Sequence, residues 1–176
     1  IKYSSKLKIH REISKLTSEE ICRAYLVTNL VIYQNYEPEA IELEKGYEAG
    51  RPKTIKPRID LILNEKDEDI FYFVEVKAFE KYESDKKYID GQIFKLKDLE
   101  DKKVKNGLYY SVTFDEKNNQ ALQKMETIDL VKYQQFDEWE KNGYPSLSNQ
   151  ISSNFGKPKK NTYVKNSKND LRKKFD

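Results

Sequence analysis

Two carboxylates and a lysine interrupt what otherwise reads as apolar sheet: Pro57-Arg58-Ile59-Asp60 opens one hydrophobic run, and Glu75-Val76-Lys77 lies in the next. Alternation with period two puts Glu75 and Lys77 on one face of their strand and Val74 and Val76 on the other. Burying a carboxylate and an ammonium in a sheet is costly unless each is paired or bound to a metal. If the two runs form a hairpin that sets Asp60 beside Glu75, two carboxylates and a backbone carbonyl can hold a hard divalent ion such as Mg²⁺, which keeps several of its waters. Such an ion activates water and offsets charge developing on a phosphodiester, while a neighbouring lysine orients or deprotonates that water and contacts the phosphate. The chemistry expected is phosphodiester hydrolysis. The competing reading is a cross-strand salt bridge on a solvated sheet face, worth little energy.

The surrounding elements must position these groups. Residues 17–34 read as an amphipathic helix, with Thr17 or Ser18 as N-cap and Ile21, Tyr25 or Ala24, Leu26, Leu30 and Val31 on its apolar face. Strands are expected at 41–45, 58–64 and 70–79, the last two as an antiparallel hairpin. A helix over about 90–104 with Ile93, Leu96, Leu99 and Val104 inward, and a strand at 107–114, come next. Then follow a short helix at 118–126, a peripheral strand at 127–133, and a helix in FDEWEKNGYP stopped by Gly143 and Pro145. The fold class expected is α/β, with one nuclease domain over 1–150. The Lys/Asn-rich residues 151–176 read as a basic linker or the start of a following segment.

Composition narrows the function classes. The 176 residues suffice for one core, and 13 Tyr with 8 Phe supply apolar bodies to a chain that is 36% charged. A net charge of +3 identifies no nucleic-acid partner, so any basic footprint must be local. Arg51, Lys53, Lys56 and Arg58 form one such cluster, placed to touch DNA phosphates just ahead of Asp60. One Cys and one His exclude an internal disulfide and a Cys/His zinc site, and no apolar run approaches the roughly 18 residues of a membrane span. A cytoplasmic protein without membrane contact is expected. The stretch GYEAGRPKT lacks the spacing of a phosphate-binding loop, so ATP is not expected to bind here. His10 and the many tyrosines receive no role, and Trp139 is expected to anchor the last helix.

The order acid, then acid-x-Lys on the adjoining strand, resembles the PD-(D/E)xK nuclease superfamily, with Ile59 where proline often stands. The order helix, three strands, helix, strand over residues 17–115 is similar to the core of that superfamily. More narrowly, the chain resembles the N-terminal nuclease domain of type I restriction enzyme R subunits. The resemblance implies a restriction-endonuclease-like central mixed sheet flanked by helices. It implies that Asp60, Glu75 and the Val76 carbonyl bind Mg²⁺, with Mn²⁺ as the other option, and that Lys77 is catalytic. It adds Glu20, with Glu19 beside it, as the helix acid, and Gln92 as the glutamine of the next helix; Leu96 stands where a tyrosine often follows. Duplex DNA, specificity and methyltransferase subunits, and ATP in a following motor domain are the implied partners. A non-catalytic nucleic-acid-binding or assembly module on the same fold, or a repair nuclease or junction resolvase, are the alternatives.

Overall fold

In the computed structural model, residues 2–13, 15–49, 56–64 and 69–147 are described. Six strands form one mixed sheet in sequence order: β1 (Lys8–Ile9), β2 (Ile41–Gly46), β3 (Arg58–Asn64), β4 (Ile70–Val76), β5 (Val104–Asp115) and β6 (Gln120–Asp129). The β1/β2 and β4/β5 pairs are parallel and the others antiparallel. The parallel pair at the centre needs a crossover, which runs through short helices α2 (Tyr82–Asp85) and α3 (Lys95–Lys97). The sheet is thus α/β and flanked by helices, as expected.

Each face of the sheet carries its own core. Helix α1 (Ser18–Ile32) starts at Thr17, whose side chain accepts the Glu20 N–H, and packs Cys22, Leu26, Leu30 and Val31 on Leu43, Leu61, Val74, Val76 and Tyr110. The free thiol of Cys22 is buried and donates to the Val112 carbonyl at 3.1 Å. Its apolar stripe is rotated from the expected one: Ile21 is exposed, and Glu20 and Arg23 point inward instead. On the opposite face Ile59, Ile62 and Phe73 pack with Ile89, Ile93, Phe94 and Trp139, the last from helix α4 (Phe136–Lys141). Tyr82 and Tyr109 are buried here and exchange hydroxyl-to-carbonyl hydrogen bonds.

Four expected elements differ. The helix over 90–104 is a π-helical turn at Asp90–Phe94 that continues into α3 and stops there. Ile93 and Leu96 satisfy its apolar face, Leu99 is exposed, and Val104 is drawn into β5 as the parallel partner of Ile70. Gly107 lets this turn approach the sheet, since a Cβ there would sit 2.9 Å from Ile93. The helix expected at 118–126 is strand β6, because Asp115 accepts the Lys117 and Asn118 N–H groups and Asn119 takes positive φ, closing a hairpin. The peripheral strand at 127–133 is the end of β6 followed by a turn. Strand β4 also ends at Val76, with Phe79 already in a 3-10 turn. The tail 151–176 and the loop residues Arg51 and Lys53 lie outside the described residues.

Strand β1 is tied to the sheet by charge. Glu42 lies 2.7 Å from His10 Nε2 and 3.0 Å from Lys8, and its other oxygen accepts from Asn64. Burial alone would raise its carboxyl, but hydrogen bonds from His10, Lys8 and Asn64 outweigh this and hold it at about 2. A depressed folded value stabilises the fold above the ordinary value of 4.5, and that contribution is lost as pH falls from there through about 2. Glu42→Gln is therefore expected to cost about 2 kcal/mol at neutral pH. In urea titrations across pH, the difference from wild type should shrink below the ordinary carboxylate value and vanish in strong acid.

Candidate active site

The β3/β4 hairpin brings Asp60 and Glu75 together. Register pairs Leu61 with Val74, which places Asp60 opposite Glu75 at the end of the ladder, and Asp60 Oδ2 accepts the Val76 N–H at 2.8 Å. Glu75 is 3% exposed and Lys77 7% exposed, so this is not the solvated sheet face of the competing reading. Val74 and Val76 point into the α1 core, and Lys77 follows directly after the end of β4.

Glu75 Oε1 accepts from Lys77 Nζ at 2.6 Å, and Oε2 is buried without a hydrogen-bond partner. Burial, followed by the charge of Asp60, holds the Glu75 carboxyl well above the usual range, against the opposing pull of Lys77. Burial disfavours the charge on Lys77, but Glu75 outweighs it and keeps the ammonium above its ordinary value. The Lys77 backbone N–H donates to Tyr110 at 2.9 Å, anchoring the end of β4 to β5. Glu19, half-buried at the start of α1, approaches Lys77 Nζ at 4.0 Å.

Glu20 meets Asp60 only through Arg23. Its Oε2 accepts from Arg23 Nη1 at 2.7 Å, and burial together with the nearby Glu20 carboxylate pushes the Tyr3 hydroxyl up. Arg23 Nη2 reaches Asp60 Oδ1 at 2.5 Å and Glu44 Oε1 at 2.8 Å. Burial opposes the guanidinium charge, but Asp60, Glu44 and Glu20 together hold it above its ordinary value. Neither Arg23 nor Glu44 was singled out by sequence; the only signal was the i, i+3 spacing of Glu20 and Arg23, which puts them on one helix face. Glu44 sits in β2 with φ of 56°, a conformation that costs a non-glycine residue roughly 1–3 kcal/mol. Leu43 and Lys45 on either side keep register with Leu61 and Ile59, so the irregularity falls opposite Asp60.

Gln92 lies in the π-helical turn, and its Oε1 is buried with no hydrogen-bond partner. Such turns occur often at functional sites. Lys56 and Arg58 line a cleft of about 470 Å³ together with His10, Arg11, Glu44, Gly46, Tyr47 and Glu48. Glu44 is common to this cleft and to the Arg23 cluster, so the cleft adjoins the acids. Among the described residues, no group of three or more His, Cys, Asp or Glu side chains is disposed to hold a metal ion, and no helix is long and apolar enough to cross a membrane.

A comparison with curated proteins finds no match. The family described as Type I restriction enzyme R protein N terminus (HSDR_N) matches residues 18–129, from the first turn of α1 to the last residue of β6. That span contains both acids, Lys77, Arg23 and five of the six strands, and it covers well over half of the sequence. The chain belongs to the family of type I restriction enzyme R protein N-terminal domains.

Proposed function

We propose that this domain hydrolyses DNA phosphodiester bonds with a divalent ion, Mg²⁺ or Mn²⁺, held by Asp60 and Glu75. The observation that carries the reading is the Glu75 carboxylate, buried beside a second acid with Oε2 unpartnered. A buried acceptor without a partner costs about 1–3 kcal/mol, more if charged, and a cation relieves that cost. Two oxygen donors fit a hard ion that keeps its waters, since Mg²⁺ is commonly bound through only one or two carboxylates. The Val76 N–H faces Asp60, and the carbonyl of a strand residue projects to the same edge, which makes it the third protein donor of the proposal.

When bound, the ion supplies an activated water and stabilises charge on the phosphate. Lys77 Nζ, held against Glu75, is proposed to meet the phosphate and to orient or deprotonate the attacking water. Gln92, with its unpartnered carbonyl oxygen, is proposed to orient Lys77 or the substrate, and Glu19 rather than Glu20 is the helix acid nearest to Lys77. The DNA backbone is proposed to follow the cleft lined by Arg11, Lys56 and Arg58. Membership in the family implies a restriction complex and a DNA substrate. Target recognition by specificity and methyltransferase subunits, and ATP use by a following motor segment, complete the proposal.

The test is calorimetric titration with Mg²⁺ and Mn²⁺ alongside relaxation of supercoiled plasmid. Ion binding together with cleavage that EDTA abolishes is the expected result. DNA binding without any ion binding would overturn the reading in favour of a non-catalytic module on the same fold. The cleft makes its own prediction: Lys56→Ala and Arg58→Ala should each lower the slope of log affinity against log salt by about one, because each removes one phosphate contact. Fluorescence anisotropy on a labelled duplex at several salt concentrations measures this.

A further inference from the structure

Arg23 holds three carboxylates, from α1, β2 and β3. Its guanidinium side chain is 7% exposed, and those of Glu20, Glu44 and Asp60 are 4%, 15% and 17% exposed. Arginine cannot deprotonate in a protein, so this cluster sets three carboxyl groups around one permanent positive charge. Nη2 sits between Asp60 and Glu44 at 2.5 and 2.8 Å, bridging the two acids as a metal ion bridges carboxylates in a two-metal site. Glu44 reaches this position from strained backbone, a sign that the surrounding structure imposes the contact. Asp60 is the residue shared with Glu75, because its other oxygen lies on the Val76 N–H at the end of β4.

We propose that the Arg23 guanidinium takes the position a second divalent ion would occupy, so that the site holds one ion, at Asp60 and Glu75, instead of two. The inference rests on the ion-binding reading of those two acids. Arg23 is a positioning residue: it fixes the Asp60 carboxylate and neutralises acids that would otherwise recruit another cation. Without it, Asp60 and Glu44 form an empty pair of oxygen donors beside the first ion.

The experiment counts Mn²⁺ per chain by electron paramagnetic resonance of the free ion, with circular dichroism to monitor folding. Arg23→Gln leaves three acids, one buried and two half-buried, without their counterion, so a second variant, Arg23→Gln with Glu20→Gln, removes one charge of each sign and preserves the net charge. The wild type should bind one ion and both variants two. Adding Glu44→Gln to the double variant should return the count to one. Mn²⁺ should also raise the thermal midpoint of the variants by more than that of the wild type. One ion in the folded variants, or two in the wild type, would overturn the inference. Variants that fail to fold even in Mn²⁺ would do so as well, since an ion that can replace the guanidinium would restore them. A wild type that binds no ion would instead defeat the nuclease reading itself.

Discussion

Asp60→Asn and Glu75→Gln are expected to lose Mg²⁺ binding and to nick supercoiled DNA at least about a thousandfold more slowly, whereas Lys77→Ala keeps the ion and slows cleavage by about 10²–10³. The separation follows from geometry. Asp60 and Glu75 meet across the β3/β4 ladder and offer the oxygens, while Lys77 offers only positive charge. The amide variants keep size and shape, and an asparagine carbonyl can still accept the Val76 N–H, although its amide nitrogen then faces the Arg23 guanidinium. Calorimetry and plasmid relaxation read the two effects separately. Ion binding that ignored both acids would remove the basis for the nuclease assignment, whatever the cleavage rates.

Trp139→Ala is expected to destabilise the domain by about 3–5 kcal/mol, with Trp139→Phe costing clearly less. The indole is fully buried, its ring centroid lies 4.9 Å from Tyr144 and about 6 Å from Phe94 and Phe136, and its N–H donates to the Pro145 carbonyl at 3.0 Å. Phe94 belongs to the same π-helical turn as Gln92, so the indole also supports the underside of that turn. Trp139 lies beyond the span matched by the family, yet it fills the core on one face of the sheet. A chain truncated after Asp129 should therefore fold no better than the alanine variant. Urea unfolding followed by circular dichroism measures both, and an alanine variant within 1 kcal/mol of wild type would show that the last helix is dispensable.

The parts legible in sequence were those in which charge broke a strong pattern. Asp60, Glu75 and Lys77 stood out because β-branched and aromatic neighbours defined their strands unambiguously. Helix α1 was legible as a helix but not in its rotation: Ile21 fits the apolar period as well as Leu26 does, and only tertiary contact with Asp60 and Glu44 turns Arg23 inward. Glu44 left no mark, since a left-handed residue is usually announced by glycine or asparagine. Ala121, Leu122 and Met125 in strand β6 fit helical spacing, whereas pairing with the long strand β5 decides the outcome. The Asn118-Asn119 turn was the available signal. The stop of the crossover helix after Lys97 was likewise illegible, since parallel pairing of Val104 with Ile70 is set by a residue far away in sequence.

Cys22 gives the domain an internal clock. It is the sole cysteine of the chain, it is 2% exposed beneath α1, and it immediately precedes Arg23. While the helix is docked its sulfur is out of reach of any thiol reagent, and modification requires the helix to lift from the sheet. The same excursion withdraws the guanidinium from Asp60. The labelling rate of the native thiol therefore counts how often the acids are left uncovered, with no probe added to the protein.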